Sequence, residues 1–224
     1  MANIITYQTV TPASTDLVLG NYINADGISE TKTFTVASIA ASGGGGSSVT
    51  SLNDLTDCLI DTGSAYIGTV PSGLSGNPQG NTTLGMYTGL DLTTGVRNTL
   101  IGIAAGRDIT TGSSNIAIGA NTLQNGSSTV TNTIAIGTSA GNFSTASGGV
   151  YLGGLAGFVN TGQGNVFVGY NAGRSSTSGI GNTDLGNRAG YANTTSSNRV
   201  CVGYQAGYYI TGADNTFIGF EAGY

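Results

Sequence analysis

Histidine is absent from all 224 residues, which removes the commonest general base and metal ligand. Charge is scarce as well. Charged residues make up 8% of the chain, against about 25% in an ordinary soluble protein. Six cationic residues against eleven acidic ones leave a net charge of −5, a poor balance for neutralising phosphates, so no nucleic-acid partner is expected. A protein or a neutral glycan is the expected kind of partner. No stretch approaches the ~20 apolar residues needed to cross a bilayer. The opening Met1-Ala2-Asn3-Ile4-Ile5-Thr6 lacks the charged segment and apolar run of a secretory signal. Membrane insertion and signal-dependent export are therefore not expected. The two cysteines, Cys58 and Cys201, lie far apart in unlike segments. They read as free thiols of a chain made in a reducing compartment, not as a disulfide framework.

Glycine, by contrast, is abundant, at 39 residues. Collagen is excluded because glycine does not fall at every third position. Disorder is disfavoured because 38% of the residues are apolar and they recur regularly. The recurrence is an aliphatic residue followed by an anchor glycine: Ile67-Gly68, Leu84-Gly85, Ile101-Gly102, Ile118-Gly119, Ile136-Gly137, Leu152-Gly153, Val168-Gly169, Leu185-Gly186, Val202-Gly203 and Ile218-Gly219. Successive glycines are 17, 17, 17, 18, 16, 16, 17, 17 and 16 residues apart. A short, sustained period of this kind defines a solenoid in which each coil is stabilised by its neighbours. The expected fold is all-β: a parallel β-solenoid (β-roll or β-helix) shaft of about ten coils of 16–18 residues.

Columns emerge when residues are numbered from the anchor glycine. Position +3 is nearly always Ala, as at Ala172, Ala189 and Ala206, with Thr88 and Thr122 as exceptions. Position +4 is usually a second glycine, and position −4 is often Asn, as at Asn81, Asn98, Asn115, Asn165, Asn182 and Asn215. A strand period of two puts −1 and +3 on one side, which predicts both in the core. The expected shaft core is therefore Ile101, Ile118, Ile136, Leu152, Val168, Leu185, Val202 and Ile218, with the alanines opposite. The asparagines suit hydrogen-bonded ladders between coils. One aliphatic and one alanine per ~17 residues is a thin core against an ordering cost of roughly 1–2 kcal/mol per residue. That predicts association, most simply as a homotrimer, with Met86, Ile103, Tyr170, Tyr204 and Phe220 at position +1 meeting the other copies.

Residues 1–41 do not share the repeat. Ile4–Val10 reads as a strand ended by Pro12, and Asn24-Ala25-Asp26-Gly27 reads as a hairpin turn between two further strands. This is the expected small N-terminal β module. Residues 42–63 hold the linker Ser42-Gly43-Gly44-Gly45-Gly46-Ser47-Ser48 and a connector in which Ser51 and Asp54 have helix-capping spacing. The shaft occupies residues 64–224.

The segments Asn98-Thr99-Leu100-Ile101-Gly102-Ile103-Ala104-Ala105-Gly106 and Asn215-Thr216-Phe217-Ile218-Gly219-Phe220-Glu221-Ala222-Gly223 resemble the Asn-Thr-x-Ile-Gly-x-x-Ala-Gly repeats of bacteriophage tail fibres and related virion fibres. The repeat is also similar to that of trimeric autotransporter adhesin heads, which are trimers of left-handed parallel β-rolls. The resemblance spans roughly residues 64–224 and implies a trimeric structural fibre. The signal peptide, coiled-coil stalk and membrane barrel of the adhesins have no counterpart here, which directs the expectation to a phage fibre assembled in the host cytoplasm and carried on the virion. Residues 1–41 would then join other virion proteins, and the far coils would meet a host-surface glycan or protein. A capsid or contractile-injection fibre and a bacterial surface adhesin are the alternatives.

No catalytic, cofactor-binding or metal-binding residue is expected, and the chain is not read as an enzyme. Asp91 and Asp108 share a column six residues after their anchors, with Asn125 next. A carboxylate pair or calcium site is one reading, and a turn column accepting backbone hydrogen bonds is the favoured one. A flat threonine face fails because Ile116, Ile134, Val150, Val166 and Val200 interrupt Thr82, Thr99, Thr183 and Thr216. Six of the eleven tyrosines lie at or after residue 170. Tyr191, Tyr208 and Tyr224 form one column at +5 and are the candidate receptor contacts. Packing across an oligomer axis or along the column is the competing reading for these rings.

Overall fold

The computed structural model describes residues 17–23, 29–35, 58–61, 63–76, 78–126 and 128–224. The chain divides into two compact units, residues 1–51 and 52–224. In the first, β1 (Leu17–Ile23) pairs antiparallel with β2 (Ser29–Thr35), with Ile23 opposite Ser29. The strand expected at Ile4–Val10, the residues of the hairpin turn, the glycine linker and the Ser51–Asp54 cap lie outside the described residues.

The second unit is a parallel β-solenoid. One sheet of eleven strands runs in sequence order. It opens with β3 (Cys58–Asp61), which is antiparallel to β4 (Ser64–Gly68) and covers the edge of the first coil. Each later coil adds one parallel strand: β5 (Thr82–Gly85), β6 (Thr99–Ile101), β7 (Ile116–Ile118), β8 (Ile134–Ile136), β9 (Val150–Leu152), β10 (Val166–Val168), β11 (Thr183–Leu185), β12 (Val200–Val202) and β13 (Thr216–Ile218). Register never slips: Leu84 faces Ile101, Ile101 faces Ile118, and Val202 faces Ile218. No helix occurs among the described residues.

Each strand is three residues long in most coils and stops at the anchor glycine, whose φ lies between +103° and +139°. That conformation is almost confined to glycine. It also serves a close approach, since a Cβ at Gly169 would lie 2.4 Å from the carbonyl oxygen of Gly186. After the glycine the chain turns through a left-handed residue at +2 in every coil from Tyr87 to Glu221, with φ near 50–60° whatever the side chain.

This geometry corrects the expected core. Only the middle residue of each strand, position −2, points inward, because the strand ends before period-two alternation reaches +3. Leu100, Ala117, Ala135, Tyr151, Phe167, Asp184 and Cys201 are fully buried there. Ile101, Ile118, Ile136, Leu152, Val168, Leu185, Val202 and Ile218 face outward on the other side of the sheet, with Leu185 45% and Ile218 70% exposed. Ala172, Ala189 and Ala206 are buried as expected. The threonine exceptions at +3 hold anchor carbonyls: Thr88 Oγ1 donates to Gly102 O at 2.5 Å and Thr122 Oγ1 to Gly137 O at 2.9 Å.

Core volume is balanced between columns. At +4 a Cβ would strike the −2 side chain, as at Gly157 against Tyr151 and Gly173 against Phe167. Where −2 is only Ala117, position +4 of the same coil carries the buried Leu123 instead. The asparagine column is buried and laddered. Asn98 N–H and Nδ2 both donate to Asn81 Oδ1, and Asn115 repeats the pattern on Asn98 Oδ1. Each amide also bonds a backbone carbonyl, such as Asn115 Nδ2 to Val130 O at 2.7 Å. These bonds leave the buried amides satisfied, which is the condition for burying them at all.

Four coils carry another residue at this place. Ser64 and Thr133 are buried hydroxyls that join the ladder, with Asn81 N–H donating to Ser64 Oγ and Thr133 N–H to Asn115 Oδ1. The other two are Gly149 and Arg199. At Gly149 the space is filled by the Tyr151 hydroxyl, which accepts from Asn160 Nδ2 at 2.7 Å and lies 3.2 Å from Ser144 Oγ. Burial raises this phenol above its ordinary pKa, and the two side-chain bonds hold part of the rise back. At Arg199 the replacement is a cation with no exposed surface. Its Nε and Nη2 donate to the two oxygens of Asp184 at 3.0 and 2.6 Å, and Nη1 donates to Ser196 O. Its guanidinium carbon sits 5.9 Å from the Phe167 ring centre. Burial raises the Asp184 carboxyl above its ordinary range, and Arg199 opposes that rise. The thiol of Cys201 is pushed up to about 12, first by burial and then by the Asp184 charge. It stays a protonated, inert core residue. Both cysteines are free and buried.

Candidate functional site

Three surface features come out of the columns. The first is the outer face of the solenoid sheet. Positions −3 and −1 flank each inward residue, so the face carries Leu84, Ile116, Ile136, Leu185 and Ile218 as exposed side chains. Position +1, just past the sheet, adds Met86, Ile103, Tyr170, Tyr204 and Phe220, each more than 40% exposed. Tyr204 and Phe220 already stack on one another at 5.4 Å. An apolar stripe that continues coil after coil is not the scattered exposure of an ordinary surface.

The second feature is the +5 corner. Tyr191 and Tyr208 stack at 4.9 Å with ring planes 16° apart, and Tyr208 meets Tyr224 at 5.4 Å. The column extends further than the three tyrosines. Arg174 Nη1 donates to the Tyr191 hydroxyl at 3.1 Å, and its guanidinium carbon lies 5.8 Å from that ring and 5.5 Å from Phe158. Phe158 in turn packs edge-on to Phe143. The structure thus brings Tyr191, Tyr208 and Tyr224 together as one stack. Tyr191 and Tyr208 are half-buried by their neighbours, so they present ring edges and hydroxyls outward more than ring faces. Burial, with Tyr209 and Tyr191 alongside, raises the Tyr208 phenol above its ordinary pKa. Tyr224 and Tyr209 are both 63% exposed.

The third feature is the Asp91–Asp108 column. Asp108 lies 3.5 Å from Arg107 Nε. Burial raises its carboxyl pKa, Arg107 lowers it and Asp91 raises it. Asp91 and Asp108 both lie in turns, and the column is tied from coil to coil: Asp91 N–H donates to Arg107 O, Asp108 N–H to Gln124 O, and Asn125 Nδ2 to Asn142 Oδ1 at 2.8 Å. Among the described residues no three metal-ligating side chains cluster, and no helix is long and apolar enough to cross a membrane.

Comparison with protein families, curated proteins and solved structures returns no match. What the geometry defines is a class, a parallel β-solenoid repeat protein with an apolar outer sheet face.

Proposed function

We propose that the chain is a structural virion fibre, a phage tail fibre that anchors through residues 1–41 and projects the solenoid as a homotrimeric shaft for host-surface adhesion. The observation that carries this reading is the continuous apolar stripe on the outer sheet face. A shaft with one wall of each coil left apolar needs a cover, and three copies about a common axis cover it symmetrically. Ten parallel strands at ~4.8 Å spacing extend about 43 Å, enough to separate an anchor from a contact surface. The tyrosine-rich coils after residue 170 support placing the contact on the C-terminal coils of the solenoid.

The attachment half of the reading is tested by deleting residues 1–41 and probing purified particles with an antibody to the shaft. The full chain is expected on particles, and the shortened chain is expected folded but absent from them. Shortened shafts on washed particles, or full chains found only on bacterial surfaces, contradict the reading.

A further inference from the structure

A shallow groove lies on the corner of the shaft between the coils anchored at Gly186 and Gly203. Its volume is about 220 Å³, and it is lined by Ala192, Thr194, Thr195, Tyr209, Ile210 and Thr211, with Ser196 at one end. Its origin lies in the hydrogen bonds that zip this corner elsewhere. At position +8, Thr161 N–H and Oγ1 both donate to Thr177 O, and Thr177 N–H and Oγ1 both donate to Thr194 O. Thr93 and Thr110 do the same for the coils that follow them. The relay stops at Thr194, which makes no such bond to Thr211. The coils anchored at Gly186 and Gly203 are therefore not zipped at this corner. Ala192 N–H to Tyr208 O and Ser196 Oγ to Ile210 O still hold the coils together on either side of the gap.

The groove therefore offers the exposed hydroxyls of Thr194, Thr195 and Thr211, none of which donates within the chain. It also offers one aromatic wall. Tyr209 is 63% exposed, yet its ring is fixed edge-to-face against Tyr208 at 4.5 Å and Tyr224 at 5.8 Å. A rigid aromatic costs little entropy to use as a contact, which is why Tyr dominates adaptable binding surfaces. None of the lining residues is charged. The volume falls below the ~300–1,000 Å³ of typical small-molecule sites and suits a single six-membered sugar ring.

We infer that this groove is a binding subsite for a neutral pyranose unit of a surface glycan. The C–H face of the sugar lies on Tyr209, and its hydroxyls bond Thr194, Thr195 and Thr211. The inference rests on the adhesion part of the fibre reading for its biological role, but it is tested on the isolated chain without particles. The probes are methyl β-glucopyranoside, methyl β-galactopyranoside and methyl α-mannopyranoside, titrated against the full chain by saturation-transfer NMR. At least one is expected to bind with a Kd on the order of millimolar and to receive saturation at its C–H face. Tyr209→Ala is expected to weaken it by about tenfold or more, Tyr209→Phe by no more than about twofold, and Tyr87→Ala, an exposed tyrosine outside the groove and the apolar face, not at all. Absence of binding by all three probes at concentrations on the order of 10 mM overturns the proposal. So does binding that Tyr209→Ala leaves unchanged. Neither outcome bears on whether the chain is a fibre, which the particle experiment decides separately.

Discussion

Arg199→Asn is expected to destabilise the shaft by ~3–5 kcal/mol, the usual cost of leaving a buried charge without its partner. The substitution restores the residue that the ladder carries in other coils, so on column statistics alone it is a repair. The structure says otherwise, because Asp184 keeps its charge in the core with no cation left to meet its two oxygens. The double variant Asp184→Leu with Arg199→Asn recreates the arrangement of Leu100 beneath Asn115, where a glycine at Gly106 accommodates the leucine. Gly190 holds the equivalent place beside Asp184. The double variant is expected within about 1 kcal/mol of the native chain, or above it, since replacing a whole buried pair is often neutral or stabilising. Denaturant melts of the two variants and the native chain check this. A single variant as stable as the native chain contradicts a buried charged pair.

The pair divides the core. Apolar burial runs from Tyr66 to Ala172 and resumes with Ala189, Cys201 and Ala206. A charge-matched layer at one height of an otherwise repetitive stack gives a slipped register a specific penalty. A coil displaced by one repeat would put either charge opposite an uncharged partner.

Gly169→Ala is expected to be the second severe change. The backbone there has φ +134°, which costs an L-residue roughly 1–3 kcal/mol. The new Cβ would also sit 2.4 Å from Gly186 O, adding about 1–3 kcal/mol of overpacking. Gly219→Ala separates the two effects. Its φ is nearly the same, +133°, but the nearest atom to an added Cβ is Ala222 Cβ at 3.9 Å. It is expected to lose only the strain, so the Tm of Gly169→Ala should fall distinctly further. Equal losses would mean that the coils do not approach at the anchor glycines.

The architecture was legible in the sequence because the anchor glycine is required by backbone geometry, and geometry repeats. The small +3 alanines and the asparagine ladder follow from the same close stacking. The aliphatic column at −1 misled, because regular aliphatics usually mark a core, and here they mark the outer face of the sheet. The true core column at −2 runs Thr83, Leu100, Ala117, Ala135, Tyr151, Phe167, Asp184, Cys201, Phe217. It carries no common residue type, since each member is fitted to its own +4 and −4 neighbours. One signal was available: Leu123 takes the glycine position in the coil of Ala117, one of the two smallest members of that column. The stacking of Tyr191 on Tyr208 follows from sharing a column, but the continuation through Arg174 to Phe158 mixes a cation with aromatic rings and has no repeating residue type to announce it. The groove at Tyr209 opens where the corner relay stops at Thr194, which the sequence does not signal because Thr stands at +8 in both coils, as Thr194 and Thr211.

The claim on which the functional account turns is that the outer sheet face is covered by other copies of the chain. Light-scattering mass of the full chain at micromolar concentration tests it directly. The account predicts a particle of three chains, each of 22.2 kDa; a stable, folded monomer of 22.2 kDa would contradict it.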